Sequence, residues 1–146
     1  MIPKRVIMHC SDTKDSGTVS WDAIRRYHIE VNGWSDIGYH YGVELVGDQY
    51  LWMPGRPEVT IGAHCRGENH DSIGVCLVGK FDAEPPPDPQ LASAAELVAR
   101  ICWSWYIDPA TQIFCHRDFD RKKTCPGRMF DLDRFRSLVS ERLPAR

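Results

Sequence analysis

Soft-metal ligand types are scattered along this sequence, among them His9, Cys10, His28, His40, His64, Cys65, His70, Cys115, His116 and Cys125. Two adjacent pairs stand out. His9-Cys10 and Cys115-His116 each close a predicted strand, and successive strand side chains point to opposite faces, so one member can pack inward while its neighbour projects into a site. With Cys10 and Cys115 inward, His9 and His116 project at the edge of a sheet, where open α/β sheets place ligands. Cys125 adds a third donor after the polar stretch from Arg117 to Thr124, and Pro126-Gly127 turns the chain straight after it. The cations around Cys125 should favour its thiolate, the form that binds zinc. A single histidine is ordinarily a hydrogen-bonded imidazole and a single thiol an inert apolar group. The residues alone therefore leave a His/His/Cys metal site open beside those plainer roles.

Positioning these groups requires a sheet and its covering helices. Lys4 to Cys10 reads as a strand that ends at the polar loop Ser11 to Gly17. Ser20 can cap a helix carrying Trp21, Ile24, His28 and Val31 at helical spacing, stopped by Asn32-Gly33. Tyr39 to Val46 and Gln49 to Met53 flank Gly47-Asp48 as a hairpin, and Pro54 to Asp71 reads as irregular. Ser72 to Gly79 is almost continuously apolar, the pattern of a strand buried on both faces. Asp88-Pro89 opens a helix whose stripe is Leu91, Ala94, Val98, Ile101, Cys102 and Trp105, with Glu96 and Arg100 paired outside it. Gln112 to Cys115 is a short strand, and Leu132, Phe135, Val139 and Leu143 mark a closing helix. The run Pro85-Pro86-Pro87 reads as a tight loop. The sum is one domain over residues 1–146, α/β or α+β, with helices on the faces of one sheet.

Bulk properties remove several classes. The chain has 146 residues, 18 basic against 20 acidic, and a formal charge of -2, which supplies no general attraction for nucleic acid. The first apolar run, Val6 to Met8, is far shorter than the roughly 7–15 residues of an export-signal core. Ser93, Glu96, Arg100 and Ser104 interrupt the most apolar stretch, so no membrane span is expected. The six cysteines form no Cys-x-x-Cys pair, and reduced, mostly buried thiols are expected. Dinucleotide, phosphate-loop, His-Glu-x-x-His and Gly-x-Ser-x-Gly signatures are absent.

Five motifs in order carry a resemblance: Val6-Ile7-Met8-His9-Cys10-Ser11, Gly38-Tyr39-His40-Tyr41, Gly62-Ala63-His64, Ser72 to Gly79, and His116-Arg117-Asp118 with Lys123-Thr124-Cys125-Pro126-Gly127. Together they resemble the zinc-dependent N-acetylmuramoyl-L-alanine amidases of the type-2 amidase and peptidoglycan-recognition-protein family, closest to its short phage lysozymes. The match runs from about Val6 to about Asp133. It implies a single catalytic domain with a central mixed sheet flanked by helices, and no separate wall-binding domain. It further implies that His9, His116 and Cys125 ligate one Zn²⁺, that Tyr39 and Lys123 act on the substrate, and that His64 lies on the substrate groove. The segment between His116 and Cys125 is a residue longer than in the short phage enzymes, so Lys122 competes with Lys123 for the catalytic position.

The activity so implied is hydrolysis by zinc-activated water of the amide joining the lactyl group of N-acetylmuramic acid to L-alanine, in a bacteriolytic endolysin. Such an enzyme is made in the host cytoplasm without a signal peptide and acts on the bacterial cell wall. Peptidoglycan is the expected partner, and the cations Arg117, Arg121, Lys122, Lys123 and Arg128 are candidates to hold its acidic stem peptide. A phage RNA polymerase is a second partner known among similar enzymes, although no residue here marks its surface. Two rival functions use the same residues: a peptidoglycan-binding module without catalysis, and a thiol hydrolase with Cys125 as nucleophile and His116 as base.

Overall fold

The computed structural model describes residues 1–146. Its strands are β1 (Arg5–Cys10), β2 (Tyr41–Val46), β3 (Gln49–Pro54), β4 (Ser72–Leu77) and β5 (Ile113–Cys115); its helices are α1 (Trp21–Glu30), α2 (Asp88–Trp105) and α3 (Leu132–Ser140). The strands form one sheet in the order β3-β2-β4-β1-β5. Only the β2/β3 hairpin is antiparallel; β4 runs parallel to both β1 and β2, and β1 runs parallel to β5. The hairpin closes at Gly47, whose φ of 64° is the left-handed conformation that a tight turn requires.

The central strand behaves as its apolar pattern predicts, with every residue of β4 buried. Ile73, Val75 and Leu77 face the main core, which also holds Val6 and Met8 of β1, the stripe of α2, and Phe135 and Val139 of α3. Removing each such aliphatic side chain from water contributes roughly 1.5–3 kcal/mol. Cys76 points to the other face, where it packs with Trp21, Ile37 and Val78. At the rim, the buried Gln90 amide donates to the carbonyls of Val43 in β2 (3.1 Å) and Val78 just past β4 (3.0 Å), tying the two strands together at that end.

Helix ends depart from the sequence reading in informative ways. Ser20 makes no side-chain cap; its N–H and hydroxyl both donate to the Glu44 carboxylate at 2.5 Å, and Trp21 N–H donates to the same carboxylate at 3.2 Å. A fully buried acid on β2 thus caps α1 from outside the helix. Trp21 alone of the expected stripe is fully buried, and Val31 is 64% exposed beyond the helix end. Asp88 pairs with Arg134 at 3.0 Å instead of capping α2. Asp131 caps α3 by accepting from Arg134 N–H at 3.0 Å, and Leu143 falls outside that helix.

Candidate metal centre

Sheet register brings the two histidines together. Met8 of β1 pairs with Cys115 of β5 as the last rung of their parallel ladder, so His9 and His116 follow side by side immediately beyond it. Met8 and Cys115 both lie in the main core, and alternation therefore sends His9 and His116 to the opposite face. Neighbouring strands lie about 4.8 Å apart. The two imidazole centroids are separated by 4.8 Å, close to that spacing. Immediately after β5 the chain enters a tight 3-10 turn, His116–Asp118, stabilised by Cys115 N–H donating to the Asp118 carboxylate at 2.8 Å.

Cys125 arrives from the following loop, and Arg117 fixes that loop. The Arg117 backbone N–H donates to the Cys125 carbonyl at 2.9 Å, while its guanidinium donates to the carbonyls of Gly127 (2.6 Å) and Phe130 (2.9 Å). This arginine is committed to backbone acceptors, so it is withdrawn from the cationic surface expected to hold a stem peptide. Cys125 Sγ accepts from Cys10 N–H at 3.3 Å and lies 3.7 Å from His9 Nδ1. Donor atoms of His9, His116 and Cys125 all fall within 4.8 Å of one another. A tetrahedral zinc with Zn–N near 2.05 Å and Zn–S near 2.3 Å requires an N···S edge of about 3.6 Å. The His9–Cys125 separation meets that edge, and the nitrogen and sulfur chemistry suits the ion.

The electrostatics favour neutral imidazoles. Burial first, then the neighbouring His64 and His116, hold the pKa of His9 well below the usual value for an imidazole, leaving a free lone pair on its ring. Burial and the Lys123 ammonium lower His116 likewise. The expectation for Cys125 is overturned: its thiol is pushed up, first by its hydrogen bond with Cys10 and then by burial. Lys122, Lys123 and Arg121 are exposed and solvated, and cannot offset a buried sulfur neighbour. A thiol in that condition becomes a thiolate through a bound cation, not through its surface lysines.

A cleft of about 330 Å³ opens beside these donors, lined by Tyr39, His116, Lys122, Lys123 and Cys125 together with Cys10, Asp12, Phe81 and Asp82. The Tyr39 ring packs 5.2 Å from the His9 ring and stacks on Trp21 at 6.0 Å. Burial, then the nearby thiols of Cys76, Cys125 and Cys10, raise the Tyr39 phenol well above its usual range, so it retains its proton at neutral pH. Both Lys122 and Lys123 reach the cleft, with Lys123 the one felt by His116.

His64 sits elsewhere than the resemblance implies. It is 7% exposed, lies outside the cleft lining, and its Nδ1 is 2.9 Å from His9 Nε2. Burial holds it at about 3, a neutral ring. His40 is structural, accepting Gly74 N–H at Nδ1 (3.0 Å) and meeting the Thr60 carbonyl with Nε2 at 2.8 Å; His28 Nδ1 accepts Gly38 N–H at 3.0 Å. His70 is exposed at the surface. All six cysteines are free thiols; Cys65, Cys76, Cys102 and Cys115 are buried. No helix is long and apolar enough to cross a membrane.

The Amidase_2 family model, described as N-acetylmuramoyl-L-alanine amidase, matches residues 1–128. The endolysin of Enterobacteria phage T3 is 38% identical over 136 residues, covering 89% of this chain and 83% of that protein. Peptidoglycan-recognition protein LB of Drosophila melanogaster is 39% identical over 101 residues, 69% of this chain and 42% of that protein. The solved structure of wild-type Drosophila PGRP-LB superimposes with a TM-score of 0.76 at 31% identity, covering 99% of this chain and 85% of that one. The amidase LysC from Clostridium intestinale superimposes at 0.80 with 24% identity, over 95% of this chain and 86% of that one, a likeness of fold.

Proposed function

The chain belongs to the N-acetylmuramoyl-L-alanine amidase family and is a peptidoglycan hydrolase; we propose that it works with one Zn²⁺ held by His9, His116 and Cys125, and that this one domain acts on the bacterial wall as an endolysin. The observation that carries the reading is the convergence of those three donors beside a polar cleft. A set of only three protein donors is the one expected of a catalytic rather than a structural zinc site. When bound, the ion supplies Lewis acidity and an activated water.

The chain's own residues then divide the remaining work. Water adds to the lactyl carbonyl, the C–N bond to L-alanine breaks, and the leaving nitrogen departs as an amine after taking up a proton. Lys123 places an ammonium at the cleft wall beside His116, where it stabilises negative charge developing on the carbonyl oxygen. Tyr39, protonated and wedged between Trp21 and His9, orients the attacking water and donates a hydrogen bond to the reacting groups. The thiol-hydrolase alternative fares poorly: it needs Cys125 Sγ hydrogen-bonded to His116, and the sulfur instead meets Cys10 N–H and His9 Nδ1. The complete donor set weighs against a module that only binds.

Digestion of purified sacculi tests the function. Mass spectrometry should find stem peptides with a free L-alanine amino group and intact glycan strands, with activity abolished by chelator and restored by zinc. Full activity in metal-free protein, or cleavage of glycosidic bonds alone, would refute it.

A further inference from the structure

The buried hydrogen bonds behind His9 have a direction that chemistry fixes. Ser72 Oγ donates to the Glu68 backbone carbonyl at 2.6 Å, and a carbonyl oxygen has no proton to return. The single hydroxyl proton of Ser72 is thereby committed, so towards His64 Nε2, 3.3 Å away, Ser72 can only accept. His64 Nε2 must then be the donor towards Ser72 and carry the ring proton, which leaves Nδ1 as the acceptor. His9 Nε2 lies 2.9 Å from that accepting nitrogen and must be its donor. The ring proton of His9 is thereby assigned to Nε2. Its Nδ1, 3.7 Å from Cys125 Sγ, is left with the lone pair a metal requires.

The surrounding chain is shaped to hold this imidazole. A Cβ at Gly74 would stand 2.5 Å from His64 Cγ, and one at Gly62 would stand 2.7 Å from His64 Cδ2. Two absent side chains therefore form the slot in which the ring lies. His40 closes one side at 5.6 Å between ring centroids. The Asn69 side-chain oxygen accepts from the backbone N–H groups of His64 (2.9 Å) and Cys65 (3.0 Å), fixing the loop that presents the ring.

We infer that His64 is a positioning residue: the chain Glu68 carbonyl, Ser72, His64 fixes which nitrogen of His9 is protonated and so prepares His9 Nδ1 as a metal donor. The inference deepens the zinc reading of the same site and rests on it for its purpose. It assigns His64 no contact with substrate.

Long-range proton–nitrogen NMR of the histidine rings in zinc-free protein is the direct test. His9 is expected as the Nε2–H tautomer. His64→Phe fills the slot without an acceptor; it should give mixed His9 tautomers and weaken zinc about 10- to 100-fold in chelator competition. His64→Asn, whose amide oxygen falls near the position of Nδ1, should recover most of that affinity, a rescue that mere filling of space would not produce. Ser72→Ala removes the anchor of the chain with little change in volume and should also mix the His9 tautomers, so a poorly folded His64→Phe does not end the test. Finding wild-type His9 as the Nδ1–H tautomer would overturn the inference, as would wild-type zinc affinity and an unchanged tautomer in folded Ser72→Ala. The tautomer is read without metal, so failure of the wild-type chain to bind zinc would overturn the metal reading separately.

Discussion

Replacing His116 separates the metal from the fold. His9 is 1% exposed and its loss would leave an unfilled site inside the protein, whereas His116 is half-buried on a short turn and contributes no hydrogen bond through its ring. His116→Ala should therefore leave the zinc-free melting temperature nearly unchanged while removing one donor of three. A ligand at 100 times its Kd stabilises a folded protein by about 2.7 kcal/mol. For a chain near this length each kcal/mol raises Tm by about 2–4 °C, so zinc at that excess should raise the wild-type Tm by about 5–11 °C. With two donors left, the affinity falls and the shift at the same zinc concentration should nearly vanish. Thermal unfolding followed by circular dichroism, with added zinc and again with chelator, reads both quantities on the same samples. Equal zinc-induced shifts in wild type and His116→Ala would refute the assignment of this histidine. An equally large drop in the zinc-free Tm would show that its role is structural.

Three further outcomes follow from the same geometry. Lys123→Met should lower kcat on a defined muropeptide by about 10²–10³-fold, the cost of one transition-state donor, while Lys122→Met stays within about threefold; the reverse order would assign the role to Lys122. Glu44→Gln should destabilise the protein by about 2–3 kcal/mol in urea unfolding, because an uncharged amide replaces the buried carboxylate that receives the Ser20 and Trp21 donors; a change below about 0.5 kcal/mol would remove the external cap from the account. Burial lowers the folded pKa of His40, so below about pH 6.5 the unfolded chain takes up a proton that the folded chain refuses, and stability falls as pH drops towards the folded value, by up to about 1.4 kcal/mol per pH unit. His40→Asn should make that acid limb less steep by the share of one group, with the lowered His9, His28, His64 and His116 keeping theirs, and an unaltered pH dependence of the urea midpoint would contradict the assignment.

What could be read from the sequence was local in origin. The β1 strand, the hairpin at Gly47-Asp48, the buried β4 and the stripe of α2 follow from apolar period and turn chemistry over a few residues, and the structure places each within a few residues of its expected bounds. The alternation argument for His9 and His116 holds for the same reason, since it needs only the direction of strand side chains. Groups whose roles depend on distant partners were illegible. Glu44 follows Val43 on a strand, a pattern that assigns the acid to solvent, yet α1 covers that face and turns the carboxylate into a cap. Arg117 stands in a run of cations that reads as a solvated surface, but its donors meet carbonyls at positions 127 and 130. Charge counting around Cys125 gave the wrong sign because Cys10, 115 positions earlier, lies against the sulfur while the lysines face water.

The site divides into two parts with different tolerances. Two donors are placed by the sheet: as long as Met8 pairs with Cys115, His9 and His116 follow side by side at the end of that ladder, and a slip of one residue would send one of them into the core. The third donor belongs to a loop, and its position depends on Arg117 holding both ends of the segment that carries Cys125. Changes at exposed wall positions such as Lys122 can therefore alter the cleft without moving the sulfur, whereas loss of the Arg117 guanidinium leaves the Gly127 and Phe130 carbonyls unpaired and releases Cys125 from the two histidines. Selection on substrate preference can act on the first set of positions independently of the metal, and Arg117, which touches neither metal nor cleft, is as necessary to the donor geometry as the donors themselves.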